Sequence, residues 1–251
     1  MKNIVLLGAT GSIGDSCLNV IRQNKEDFHL LGIGLDSNLD KAYKVAKEFR
    51  PEHIFVAQSD LDKSHDLLDL YPNILSTEDE LQGLIQNPSV DIVISAISGF
   101  AGLQASYFAI DAGKTVLIAN KESIVAAGDI LMPLAKTKNS NIIPVDSEHN
   151  AIHQCLPLHR NLSEISKIII TASGGPFREK TFQDLSTVSL QDALKHPTWS
   201  MGTKITIDSA TLVNKCLELI EAHYLFQIPE SQIEIVVHPQ SIIHSMVTFI
   251  D

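Results

Sequence analysis

From residue 4 to residue 118, short apolar runs alternate with stretches of helical periodicity, and few folds accept that alternation. The runs at 4–7, 29–35, 53–57, 90–95 and 115–118 have strand length. After Gly14, and again at 39–49, 61–70 and 103–112, apolar residues recur at helical spacing. Strands separated by helices join through right-handed crossovers into a parallel sheet covered on both faces. The expected fold class is α/β, a doubly wound parallel-sheet (Rossmann-type) N-terminal domain.

The pattern changes after a further helix at 123–138 and a strand at 141–145. Beyond the polar cluster Asp146-Ser147-Glu148-His149-Asn150 come a strand at 167–171, a glycine turn, a loop at 195–202 and a strand at 204–207. A helix at 209–226 and strands at 232–237 and 242–250 complete the chain. Strands here follow one another more directly, so an α+β catalytic domain with an open sheet is expected over 146–251, after a dinucleotide-binding domain over 1–145. The last residues fall inside a predicted strand, which implies that the second domain is truncated at its C-terminal end.

A chain of 251 residues, 44% apolar and 20% charged, can bury a core without staples. Its net charge of −11 argues against nucleic acid and anionic membrane as partners, so an anionic ligand must be held locally. The uncharged stretch at 92–110 carries Ser95, Ser98, Gly99, Gly102, Gln104 and Ser106, which fits strand, turn and helix better than a membrane span. Cys17, Cys155 and Cys216 make no disulfide framework and no zinc-like cluster, which points to a reducing, cytoplasmic compartment. Cys155, in an apolar helical stretch, is expected in the core.

Gly8-Ala9-Thr10-Gly11-Ser12-Ile13-Gly14 lies between a strand and a helix. Glycines there let the backbone approach a pyrophosphate seated on the helix N-terminus. After the second strand Asp36 suits the ribose of NAD, whereas Ser37, Asn38 and the nearby Lys41 suit the phosphate of NADP, and spacing alone leaves both open. Asp146 and Glu148 follow a predicted strand, and Glu218 on a later helix offers a third oxygen; such a set suits Mg²⁺ or Mn²⁺, against the plainer alternative of a solvated acidic loop. On that helix Ser209 reads as the N-cap, and Asn214, Lys215 and Glu218 share a face, so a phosphate and a metal can sit side by side. Ser173 before two glycines can add donors to the phosphate, and the loop with His196, Trp199 and Met201 can form a lid. His149, His223, His238 and His244 lack metal-ligand spacing and read as structural or exposed.

These segments, with Ala119-Asn120-Lys121-Glu122-Ser123, Val145-Asp146-Ser147-Glu148-His149-Asn150-Ala151, Ser173-Gly174-Gly175-Pro176-Phe177, His196-Pro197-Thr198-Trp199-Ser200-Met201-Gly202, Asp208-Ser209-Ala210-Thr211-Leu212-Val213-Asn214-Lys215 and His238-Pro239-Gln240-Ser241-Ile242-Ile243-His244-Ser245-Met246, resemble the successive motifs of the 1-deoxy-D-xylulose 5-phosphate reductoisomerases. The resemblance implies an NADPH-dependent enzyme of the non-mevalonate isoprenoid pathway that needs Mg²⁺, Mn²⁺ or Co²⁺. It implies a small phosphorylated substrate, a homodimer, and a C-terminal helical domain absent from this chain. It assigns Asp146, Glu148 and Glu218 to the metal, and Ser173, His196, Ser209, Asn214 and Lys215 to the phosphate. Ser147 and Lys121 are assigned to the substrate backbone, Lys121 also to proton movement, and Trp199 and Met201 to the lid. Thr10, Gly11, Ser12, Ile13, Ser37, Asn38, Asn120, Lys121, Glu122 and Gly202 are assigned to the cofactor. Asp36 departs from the small or basic residue common at that place in the family. Two rivals are a semialdehyde-type dehydrogenase, which needs a cysteine nucleophile, and a dinucleotide-binding module without catalysis.

Overall fold

Val5, Leu6 and Leu7 are wholly buried because β1 (Lys2–Leu7) runs through the middle of a six-stranded sheet. The sheet carries the first of two units, Met1–Ile143 and Pro144–Asp251, in a computed structural model that describes residues 1–57, 66–156, 162–199 and 202–251. In chain order the unit runs β1, α1 (Ser12–Gln23), β2 (Phe28–Leu35), α2 (Leu39–Phe49), β3 (His53–Val56), α3 (Asp66–Leu70) and α4 (Glu78–Gln86). It continues with β4 (Ile92–Ser95), α5 (Leu103–Asp111), β5 (Thr115–Ile118), α6 (Lys121–Lys138) and β6 (Asn141–Pro144). The strand order is β3-β2-β1-β4-β5-β6, and β1 pairs in parallel with both β2 and β4. That order reverses at β1, the crevice where doubly wound sheets take their ligands. Leu6, Leu18, Ile33, Ala46 and Ile54 meet beneath it in one apolar cluster.

The second unit places β7 (Ile165–Ala172) between β8 (Ile233–Val237), parallel to it, and β9 (Ser245–Phe249), antiparallel. Its helices are α7 (Ser147–Cys155), the short α8 (Leu190–Ala193), α9 (Thr203–Ala210) and α10 (Val213–Phe226). The α/β class with a second, smaller sheet is the architecture that the alternation of elements implied.

Four local expectations are corrected. The segment expected as a strand at 204–207 is α9: Gly202 caps it, Thr206 and Ala210 bury one face, and Lys204 pairs with Asp208 at 2.7 Å along the other. Ser209 therefore lies in the last turn of α9 and caps nothing, because α10 starts after Leu212, whose backbone is left-handed at φ 61°. The last strand begins at Ser245, since 242–244 are spent on a turn in which His238 Nε2 accepts from the Ile242 and Ile243 amides. Cys155 is exposed at the end of α7, not in the core. Residues 61–65 of a predicted helix, and Met201, lie outside the described residues. Among the described residues no helix is long and apolar enough to cross a membrane.

Candidate active site

Asp146 ends the run into α7 as its N-cap residue, Glu148 stands in the first turn, and Glu218 comes from α10 with 1% exposure. One carboxylate oxygen from each of the three lies within 4.8 Å of the others. Three like charges so close repel unless positive charge sits among them. Lys215, buried on the same face of α10, brings Nζ to 2.5 Å from both Glu148 Oε1 and Glu218 Oε2, and Asn214 Nδ2 donates to Glu218 Oε1. An all-oxygen donor set of this kind fits a hard divalent cation. A second set overlaps the first: Asp146, His149 and Glu221 also bring ligand atoms within 4.8 Å. Glu221 is fully buried, and residue spacing had drawn no attention to it. The signal was available in Glu218 and Glu221 three apart on one helix, and in Asp146 and His149 likewise three apart.

Next to the carboxylates is a small hollow lined by Ala172, Ser173, Gly174, Gly175, Ser209, Leu212, Asn214 and Lys215. Gly175 has φ +66°, and a Cβ there would stand 2.4 Å from the Ser209 carbonyl oxygen, so only glycine lets the turn close against α9. Ser173 Oγ is 3.0 Å from His196 Nε2, while His196 Nδ1 accepts the backbone N–H groups of Thr198 (3.2 Å) and Trp199 (2.9 Å). Because Nδ1 accepts, the hydrogen of the neutral ring is on Nε2 and is donated to Ser173 Oγ; the serine hydroxyl is left to donate elsewhere. Burial, then the nearby Arg178 charge, holds His196 below its ordinary value of 6.5, which favours the neutral ring. Trp199 is 45% exposed and meets His244 edge-on at 6.3 Å.

In the first unit the glycine loop opens α1, with Gly11 as N-cap, Gly11, Ser12 and Ile13 exposed and Thr10 half-buried. Gly8, at φ +88°, passes so close to β4 that a Cβ would lie 2.4 Å from the Ala96 carbonyl oxygen. Asn38 Oδ1 caps α2 through the Lys41 amide, and Ser37 Oγ lies 3.4 Å from Asp36 Oδ2. Lys41 Nζ reaches back to the Thr10 carbonyl (3.0 Å) and Asp15 (2.7 Å), so a cation does stand beside the loop. Asn120 is buried: its Nδ2 donates to the Ile97 and Gly99 carbonyls, its Oδ1 accepts the Ser123 amide, and Glu122 is 3.1 Å away. Lys121, also buried, opens α6. Burial pushes the Cys17 thiol up, which disfavours the thiolate that a semialdehyde-type dehydrogenase needs.

Two family models, described as 1-deoxy-D-xylulose 5-phosphate reductoisomerase and its C-terminal domain, match residues 4–128 and 142–226. The chain belongs to the 1-deoxy-D-xylulose 5-phosphate reductoisomerase family. A reductoisomerase of Bacillus cereus (strain AH187) is 48% identical over 256 residues, covering 100% of this chain and 66% of that relative. This chain thus spans slightly less than two thirds of the relative. A crystal structure of a reductoisomerase in complex with NADPH, fosmidomycin and magnesium superposes with a TM-score of 0.94 at 42% identity, over 100% of this chain and 64% of that one. The reductoisomerase of Zymomonas mobilis, in complex with NADPH, gives 0.88 at 42% identity over 100% and 65% of the two chains.

Proposed function

We propose that this chain carries out the NADPH-dependent conversion of 1-deoxy-D-xylulose 5-phosphate to 2-C-methyl-D-erythritol 4-phosphate, a skeletal rearrangement followed by hydride transfer. The observation that carries this reading is the cluster of Asp146, Glu148 and Glu218, within 4.8 Å of one another, beside the hollow of Ser173, Ser209, Asn214 and Lys215. A Mg²⁺, Mn²⁺ or Co²⁺ ion held by the three carboxylates supplies Lewis acidity toward the substrate's oxygens. Ser173 donates its hydroxyl to the substrate phosphate, because His196 Nε2–H already occupies the serine oxygen as acceptor. Ser209, Asn214 and Lys215 complete the phosphate grip, and Lys215 Nζ also balances the charge of Glu148 and Glu218. Ser147 orients the substrate backbone, and Trp199 covers the substrate from water.

The domain over 1–145 takes the cofactor. Thr10 to Ile13, at the start of α1, would hold its pyrophosphate at the positive end of the helix. Ser37 and Asn38 take the 2′-phosphate with Lys41 close by, and Asn120, Lys121 and Glu122 border the nicotinamide end. The domain over 146–251 binds metal and substrate. A cytoplasmic homodimer is the assembly we assign; the free cysteines support the compartment, and the exposed Ile235, Val236 and Val237 of β8 support association through that sheet.

The test is NADPH absorbance with this chain, the substrate and Mg²⁺ or Mn²⁺, beside EDTA and NADH controls. Decay that requires substrate and metal and stops with fosmidomycin is expected. NADPH binding without turnover favours a binding module, and a longer chain would then show whether the remaining third of the relatives' length is needed.

A further inference from the structure

His149 is 0% exposed, and its ring joins the two helices that carry the three carboxylates. It lies one turn after Asp146 and next to Glu148 on α7. Its Nε2 is 2.9 Å from the backbone carbonyl oxygen of Glu218 on α10. A carbonyl can only accept, so this nitrogen carries a hydrogen. The other nitrogen, Nδ1, faces Glu221 Oε2 at 3.5 Å and stays 4.0 Å from Asp146 Oδ2. Glu221 is three residues beyond Glu218, so the imidazole spans one turn of α10 from carbonyl to carboxyl. At 3.5 Å the imidazole edge and the carboxylate stand in ion-pair range rather than at hydrogen-bond distance, and both are buried, so the contact is held by the packing of the two side chains. Phe226 closes the far side, its ring stacked on the imidazole at 6.2 Å and 14°.

We infer that His149 and Glu221 form a brace that fixes α7 against α10 and so sets the distance from Asp146 and Glu148 to Glu218, an inference that rests on reading those three as metal ligands. Both are positioning residues. Neither needs to touch substrate, and both act by holding the backbone from which the proposed ligands extend. A buried polar pair is weak evidence of stability, because apolar residues of the same shape pack at least as well. Its value here is geometric: it permits one register between two helices, where an apolar contact tolerates several. Loss of outer hydrogen-bonding partners commonly weakens metal affinity by about 10–100-fold.

The experiment is a Mn²⁺ titration followed by electron paramagnetic resonance, with thermal melts, on the 251-residue chain and on Glu221→Gln, Glu221→Asp, Glu221→Leu and His149→Phe. An amide can accept from Nδ1–H or donate to bare Nδ1, so Glu221→Gln is expected to bind within about threefold of the unmodified chain. Glu221→Asp keeps the charge but shortens the reach and is expected to lose about fivefold, while Glu221→Leu and His149→Phe lose about 10–100-fold with an altered bound-ion spectrum. Unchanged affinity in the Leu and Phe variants, even with a lower melting temperature, overturns the brace and leaves the metal site standing. Should those two not fold, Glu221→Asp decides by the same criterion. An unmodified chain that does not bind Mn²⁺ overturns the metal reading itself, and the brace with it.

Discussion

The two units of this chain invert each other's economy of burial. In Met1–Ile143 the interior is mostly apolar, and its buried polar groups are few: Asn120, beside the buried Lys121, spends its amide on a cap and two carbonyls. In Pro144–Asp251 the buried set includes His149, Asn214, Lys215, Glu218 and Glu221, while Val237 of β8 and Ile242 are exposed. Burying charge is unfavourable unless each group is paired, so an interior of this kind is kept for what it holds in place. The first unit is built for stability around a loop. The second gives up apolar core to organise charge.

The contrast makes predictions of decreasing size. Glu218→Gln removes charge from the middle of the cluster, and turnover measured by NADPH absorbance is expected to fall about 10³-fold, the size typical of a lost electrostatic stabiliser, with NADPH binding intact. Leu6→Ala in the first unit opens a cavity under β1 and is expected to cost about 3 kcal/mol by urea unfolding. If Mn²⁺ affinity fell with it, the separation of roles between the units would be wrong. A pH effect comes next. His196 has a lowered value when folded, so the folded loop binds fewer protons than the unfolded one in mild acid; its stabilisation is present above 6.5 and lost as pH falls through the lowered value. Trp199 is the one tryptophan of the sequence, and its amide donates to His196, so its fluorescence should report this step. The step should vanish in His196→Gln and persist in His244→Gln. Smallest is Thr77→Ala, which breaks the capping box with Glu80 at the start of α4 and is expected to cost about 1 kcal/mol in a thermal melt without touching activity.

The first unit was largely legible because its strands are short apolar runs buried on both faces, and periodicity reports that directly. Even so, α4 went unread although Thr77 and Glu80 spell its capping box, because the flanking apolar stripe is narrow. In the second unit the Ile205-Thr206-Ile207 stretch looks like a strand by residue type, and only the Lys204–Asp208 pair and the buried spacing of Thr206 and Ala210 reveal a helix. The break at Leu212 could not be read, since nothing in a leucine announces a left-handed backbone. Residue types were enough to nominate Asp146, Glu148 and Glu218. They did not single out Glu221, because a glutamate on a helix ordinarily faces water; its spacing from Glu218 is a signal, and the contact of His149 on α7 with α10 shows that this one is buried.

Leu212 carries a further consequence. A leucine at φ 61° holds local strain of about 1 kcal/mol, and it sits where the hollow's lining passes from α9 to α10. Laboratory evolution toward heat resistance should therefore find glycine or asparagine here early. The same change would loosen the junction between Ser209 and Asn214, so a more durable protein would be a poorer host for the phosphate proposed there.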